Sequence, residues 1–374
     1  MSDPASILEK LLASASANPL KSTIKNKEIR AKIEYVCNQL SNRACTRLLM
    51  ACMLAKLDRP DIDPRKPYTE IGGKGGFSGR TYDEKYITQF INHNRLPLNP
   101  TTAFLTPAFR NLDKALTTNL ELIGRPRELY HFTLELLDDV HKNRVTAKAV
   151  LIEIIRILLI MRDEKLSRMN TLLSSLRQAR DHQILSSEEI VTLIDQHLKS
   201  RHASRLPVLV VAAAYNSIAD KIGEYAMPLK SHNAADEQTG ALGDVEICLQ
   251  NDEHVVTAYE MKTKKVTIND IDRALEKIAS VNYQIHNYIF ITTDLVDYTV
   301  TTYSSGMYSR TNGTEIAILD CLGFLRHFLH FFHRSRINFL NAYQELVLNE
   351  PDSAVSQALK EAWLALRQVA ESDE

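Results

Sequence analysis

The stretch Gly243–Lys265, GDVEICLQNDEHVVTAYEMKTKK, decides how this chain is read. Two alternating apolar runs, Val245–Leu249 and Val255–Tyr259, flank a polar tip, Gln250–Glu253. Alternation with period two on both sides of a polar tip predicts a β-hairpin. A turn centred on Asp252 sets Asp244 opposite Glu260, and directly opposed residues hold their Cβ atoms about 4.5–5.5 Å apart. Lys262, two residues beyond Glu260, projects from the same face. Two carboxylates that close repel each other unless a cation sits between them. Mg²⁺ suits such a pair, since it uses one or two carboxylates and keeps several waters. A bound metal lowers the pKa of its water, and a neighbouring lysine can orient or deprotonate that water. The plain alternative is a solvated hairpin with a surface salt bridge.

Asp244 followed across a short hairpin by Glu260–Met261–Lys262 resembles the active site of the PD-(D/E)xK nuclease superfamily, which includes most type II restriction endonucleases. The resemblance implies that Asp244 and Glu260 bind Mg²⁺, that the Met261 carbonyl completes the site, and that Lys262 serves the attacking water. One position departs from the pattern: the family's usual proline before the aspartate is Gly243 here. A D-x(15)-E-x-K spacing alone is weak, and its weight comes from the hairpin around it and the helical segment after it. The family implies a helical N-terminal region followed by an α/β/α core with a mixed sheet, an α/β (α+β) fold. A helix before the aspartate strand often supplies a further acidic ligand in this family, which makes Glu224 the candidate and Asp220 the reserve.

Outward from the hairpin, Ile268–Val281 has a helical stripe of Ile271, Leu275 and Ile278. Tyr288–Thr292, YIFIT, predicts a strand buried on both faces, and Glu315–Asp320 a further strand. Glu246 shares a face with Asp244 and suits either a supporting carboxylate or an edge salt bridge. Lys264 and Lys265 follow the Glu-x-Lys segment and are candidate DNA contacts. Leu206–Tyr225 predicts one apolar helix. The polar loop at 231–243 offers His232, Asn233 and Gln238 as further contacts. Leu322–Leu348 predicts a long amphipathic helix carrying His327, His330 and His333; with no CxxC or HExxH, lining a groove explains them better than zinc. Residues 352–371 predict a helix with Val355, Leu359, Trp363 and Leu366 on one face, to dock on the body or on a second subunit.

The first two hundred residues predict helices at Ile7–Ala15, Lys27–Leu40, Thr46–Leu57, Arg127–His141, Thr146–Met161, Glu164–Arg180 and Ser186–Leu198, the last opened by a capping box. Between them lies Asp58–Arg80, DRPDIDPRKPYTEIGGKGGFSGR, with five of the chain's 12 glycines. It lacks both the Walker A and the GxGxxG spacing. Its functional reading is a clasp at 70–80 in which Lys74, Ser78, Arg80 and Tyr82 approach DNA; the alternative is a loop joining helices. Leu96–Phe109 is irregular by its prolines, and its Asn99, Thr101 and Thr102 suit base reading or a packed connector. The run from GGKGGFSGR through NPTTAFLTPAFR is similar to SacI-type restriction endonucleases.

With 374 residues the chain suggests more than one domain: a helical recognition and scaffold region at 1–200, a catalytic domain at 201–348 and a C-terminal helix at 349–374. No apolar run approaches the roughly 20 residues of a membrane span. Five scattered cysteines predict buried, reduced thiols in a cytoplasmic protein. Residues 1–110 hold 17 Lys+Arg against 10 Asp+Glu, and residues 201–374 hold 15 against 23. A basic recognition end and an acidic metal end would suit a nucleic-acid enzyme. The expectation is therefore a Mg²⁺-dependent type II restriction endonuclease on double-stranded DNA, acting as a homodimer beside a cognate DNA methyltransferase. The alternatives are a repair or recombination nuclease of the same fold, or a non-catalytic DNA-binding protein with a nuclease-like core.

Overall fold

The computed structural model describes residues 3–39, 42–71, 74–99, 101–110, 112–178, 185–230 and 241–372. The chain forms two compact units, Met1–Arg168 and Met169–Glu374, and passes from one to the other within helix Ala147–Gln178. The sequence reading divides the chain near residue 200. Helix Ser187–Leu198 nonetheless belongs to the second unit, because Ile190, Val191 and Ile194 are buried in that unit's core.

The first unit is helical, and its centre is helix Ala44–Asp58. Every residue from Ala44 to Ala55 is buried. A helix apolar all round can only sit inside, and helices Pro4–Ala17, Lys27–Cys37 and Arg127–His141 surround it. Cys37, Cys45 and Cys52 lie in that core, and burial pushes the Cys37 and Cys45 thiols up to about 12. The two helices expected at 146–161 and 164–180 are one continuous helix, since no proline or glycine interrupts the sequence between them.

In the second unit, five strands form one mixed sheet in sequence order: β1 Glu224–Ala226, β2 Val245–Leu249, β3 Val255–Lys262, β4 Asn287–Thr292 and β5 Glu315–Asp320. The β1–β2 and β2–β3 pairs are antiparallel; β3–β4 and β4–β5 are parallel. Parallel neighbours need crossovers, here helices Ile268–Ala279 and Tyr298–Ser305. Both cover one face, packing Ile271, Ala274 and Val300 on Ala258, Tyr288 and Phe290. The other face, with Val245, Ile247, Tyr259 and Ile291, is covered by helices Leu206–Asn216, Cys321–Phe331 and Arg336–Asn349. The α/β architecture with a mixed sheet is thus the one expected.

Two sequence expectations need correction. The apolar helix expected to run to Tyr225 ends at Asn216, and Gly223 at φ +70° turns the chain into β1. The long helix expected at 322–348 is broken at Phe332, where a short turn of 3₁₀-helix separates its halves. Of the two alternatives for the Trp363 stripe, the structure shows docking on the body of its own unit. Trp363 is fully buried in its own unit against Tyr343 and His197.

His197 adds a pH dependence. Its Nε2 lies 3.0 Å from the Leu359 carbonyl and its Nδ1 3.0 Å from the Tyr343 hydroxyl. A carbonyl only accepts, so Nε2 carries the proton and Nδ1 accepts from Tyr343. Burial lowers the pKa to about 4, opposed only weakly by the Leu359 bond. The unfolded ring binds its proton near pH 6.5, so stability is full above that value and is lost as pH falls toward 4. We expect about 2 kcal/mol to be lost between pH 7 and pH 5. Urea unfolding of wild type and His197→Gln at the two pH values tests this; an equal acid loss in both proteins would assign it elsewhere.

Candidate active site

From Val245 to Ile247 the hairpin register is the one the alternation predicts. Val245 pairs with Tyr259, Glu246 with Ala258 and Ile247 with Thr257. A bulge between Ile247 and Cys248 then absorbs one extra residue nearer the turn. The pairing ends at Val245 and Tyr259, so Asp244, just before β2, lies outside the ladder and meets β3 through its own amide and carboxylate. The Asp244 amide donates to the Tyr259 carbonyl at 2.7 Å, and its Oδ2 accepts from the Met261 amide at 2.8 Å. On a strand the N–H and C=O of one residue point to the same side, so the Met261 carbonyl also faces the Asp244 side.

Gly243 explains the departure from proline. A Cβ there would stand 2.5 Å from the Tyr259 carbonyl oxygen. Only glycine permits the close approach that brings the Asp244 amide onto β3. Just ahead, buried Glu246 accepts from the Leu242 amide at 2.7 Å and from Lys230 at 2.9 Å. It secures the segment that delivers Asp244.

Glu260 sits among cations. Its Oε1 lies 3.1 Å from Lys262 Nζ, and its Oε2 lies 3.0 Å from both Lys277 Nζ and the Tyr288 hydroxyl. Lys262 also pairs with Asp270 at 3.2 Å. The site is therefore a chain of alternating charge, Lys277–Glu260–Lys262–Asp270. Partial burial pulls the Lys262 pKa down, but Glu260 and Asp270 outweigh it and the net shift is upward. Lys262 is thus a stable cation and hydrogen-bond donor. Burial pushes the Asp270 carboxyl up, and hydrogen bonds from Thr267 with the Lys262 charge bring it below its ordinary value. The Thr267–Asp270 capping box opens helix Ile268–Ala279 and fixes Asp270 in place.

Asp244, Glu260 and the Met261 carbonyl offer only oxygen donors, the chemistry that suits Mg²⁺, which draws its remaining ligands from water and substrate. Among the described residues no group of three or more His, Cys, Asp or Glu side chains is placed to hold a metal. The third acidic ligand expected from the sequence is not brought in. Glu224 pairs with Leu249, at the end of β2 away from Asp244, roughly 17 Å along the strand at 3.4 Å per residue. It borders a hollow lined by Tyr215, Phe324 and His327 on the opposite sheet face. Exposed Asp220 lies in the short turn before β1. Of the histidines, His330 pairs with Glu188 and His327 stacks on Phe331.

The proposed DNA contacts fall into two kinds. Lys264 and Lys265 are exposed directly after β3. In the first unit, Lys74 is exposed and Arg80 is exposed while paired with Glu84. Ser78 caps the turn Gly79–Tyr82 through the Thr81 amide. Tyr82 is half-buried against Phe77 and Tyr86 and donates to Asp58 at 2.5 Å. From Gly75 to Gly79 the segment is pinned by backbone hydrogen bonds. Asp63 donates to the Gly75 carbonyl, Phe77 to Lys66 and Gly79 to Pro67, and Gly75 needs its φ of +90°. Thr102 is buried and donates to Asp83, which is a packing role. Gly72, Gly73, Arg180, His232, Asn233 and Gln238 lie outside the described residues.

Sequence reasoning missed Asp270, Lys277 and Tyr288. The Thr-x-x-Asp at 267–270 carried a capping signal, and Asp270 and Lys277 are seven apart, two helical turns on one face. Tyr288 looked like one more apolar strand residue.

Residues 182–293 match the family model of the SacI restriction endonuclease C-terminal domain. A search of the curated proteins finds no match. Across that span, which holds Asp244, Glu260, Lys262, Asp270, Lys277 and Tyr288, the chain is similar to type II restriction endonucleases of the SacI kind.

Proposed function

We propose that this chain is a Mg²⁺-dependent type II restriction endonuclease of PD-(D/E)xK type, cutting both strands of duplex DNA at a specific sequence. The observation that carries the proposal is the Asp244 carboxylate hydrogen-bonded to the Met261 amide, between Glu260 and Lys262 in sequence, with Lys262 Nζ 3.1 Å from Glu260. Asp244, Glu260 and the Met261 carbonyl would hold the ion, which supplies charge stabilisation and a more acidic water. Lys262, steadied by Asp270, donates a hydrogen bond to the attacking water or to a phosphate oxygen. Water attacks phosphorus in line, and the P–O bond on the far side breaks. Lys264 and Lys265 beside the site, and Lys74 and Arg80 on the first unit, supply positive charge for phosphates. A cognate DNA methyltransferase would protect host sites.

One Asp…Glu-x-Lys hairpin per chain serves one strand, while restriction breaks two. A two-fold pair of chains on a palindrome meets that need with a single surface used twice. With Mg²⁺ and plasmid DNA we expect discrete double-strand fragments, and light scattering of the Ca²⁺ complex should give two chains per duplex. One chain per duplex, with nicked DNA as the end product, would remove both the dimer and the restriction reading.

A further inference from the structure

We propose that Lys277 and Tyr288 are positioning residues that fix Glu260 relative to Asp244. The proposal rests on the nuclease reading above and extends it to two residues outside the Asp…Glu-x-Lys pattern. Lys277 Nζ and the Tyr288 hydroxyl both lie 3.0 Å from Glu260 Oε2. The same two groups reach the Leu242 carbonyl, at 3.4 Å and 2.8 Å. Leu242 stands two residues before Asp244, joined through Gly243, whose backbone lies against Tyr259. The backbone that carries one carboxylate and the side chain of the other are thus held by the same pair of donors.

Each donor is itself fixed. Tyr288 is 1% exposed, on interior strand β4, with its ring 5.4 Å from Phe290. The hydroxyl therefore cannot swing away without disturbing the core. A tyrosine has one proton to donate and an ammonium has three, so Lys277 can satisfy both acceptors whichever of them Tyr288 serves. Lys277 comes from helix Ile268–Ala279, the helix that also presents Asp270 to Lys262. One helix face braces both ends of the charge chain. As a result Glu260 Oε2 is committed to the protein, while Oε1 faces Lys262.

Hydrogen-bond partners behind metal-binding groups typically contribute about 10–100-fold in affinity or activity. Tyr288→Phe removes one oxygen and keeps the ring, so Mn²⁺ binding by the full chain, measured calorimetrically without DNA, should weaken about 10–100-fold with little change in melting temperature. Lys277→Met removes a brace and also a repelling charge, which act oppositely on metal affinity. Its effect is therefore read as the single-turnover cleavage rate at saturating Mg²⁺, expected to fall about tenfold or more. Lys277→Arg should recover most of that rate. Wild-type Mn²⁺ affinity in Tyr288→Phe together with wild-type rate in Lys277→Met would overturn the proposal. So would losses that merely follow melting temperature and are not recovered by Lys277→Arg. Wild-type protein that neither binds Mn²⁺ nor cuts DNA removes the nuclease reading and this proposal with it. If wild type binds and cuts while the variants are unaffected, only the positioning roles fall.

Discussion

Asp244→Ala and Glu260→Ala are each expected to stop DNA cleavage while leaving Ca²⁺-supported DNA binding in place. On the nuclease reading proposed above, Asp244 just before β2 and Glu260 on β3 would each supply half of the carboxylate charge available to a divalent ion. Metal-ion catalysis contributes several kcal/mol of transition-state stabilisation, and each 1.36 kcal/mol is tenfold in rate. Loss of either ligand should therefore slow cleavage about a thousandfold or more. The two losses should not add, because removing one ligand already disables the unit that both build. Phosphate contacts away from the metal dominate affinity for DNA, so binding should survive. The folding consequences also differ in a checkable way. Asp244 is exposed and Glu260 is not, and Glu260→Ala leaves Lys262 and Lys277 without a shared carboxylate. Glu260→Gln keeps the shape with less charge and is the cleaner variant for the rate measurement. Mg²⁺-dependent cutting by Asp244→Ala at wild-type rate would end the assignment.

What made this site legible was short-range geometry. Period-two alternation predicts the β2–β3 register over Val245–Ile247, which ends one residue short of Asp244 and Glu260. The strands at 287–292 and 315–320 were legible for a related reason, as short apolar runs. The rest of the site depends on packing between distant elements, which no local pattern encodes. Lys277 reaches Glu260 only because its helix crosses back over the sheet, and Tyr288 does so only because β4 lies parallel to β3. Glu224 shows the opposite failure. A family expectation placed an acid on a helix before the aspartate strand, yet here that segment is an edge strand whose register carries Glu224 away. In the first unit, Ser78 and Tyr82 sit in a stretch whose composition suggests DNA contact. Their polar atoms are instead spent on a helix cap and on Asp58.

Asp83→Ala should destabilise the first unit by about 3–5 kcal/mol, the usual cost of removing one partner from a buried ion pair. Arg47 and Asp83 are 1% and 0% exposed at their side chains, with Nη2 2.5 Å from Oδ1. Arg47 also donates to the Asn99 carbonyl and to the Thr88 hydroxyl, while Asp83 Oδ2 accepts from the Thr102 hydroxyl and the Ala103 amide. The pair thus ties the central helix to two irregular segments: the π-helical turn Asp83–Ile87 that follows the glycine-rich clasp, and the proline-rich stretch around Asn99–Ala103. Alanine at 83 leaves a guanidinium in the core without its carboxylate, and two donors, the Thr102 hydroxyl and the Ala103 amide, without their acceptor. For a unit of this size the loss corresponds to a fall of roughly 10 °C in melting temperature, read by calorimetry. Replacing both partners, Arg47→Met with Asp83→Leu, removes the stranded charge and should recover much of the stability. If Lys74 and Arg80 contact DNA as proposed, the double variant should still loosen the segment that carries them, because Thr102 and Ala103 lose their acceptor. Its DNA affinity should therefore fall more than its stability. An Asp83→Ala protein that melts within 2 °C of wild type would show that the pair does not hold these segments together.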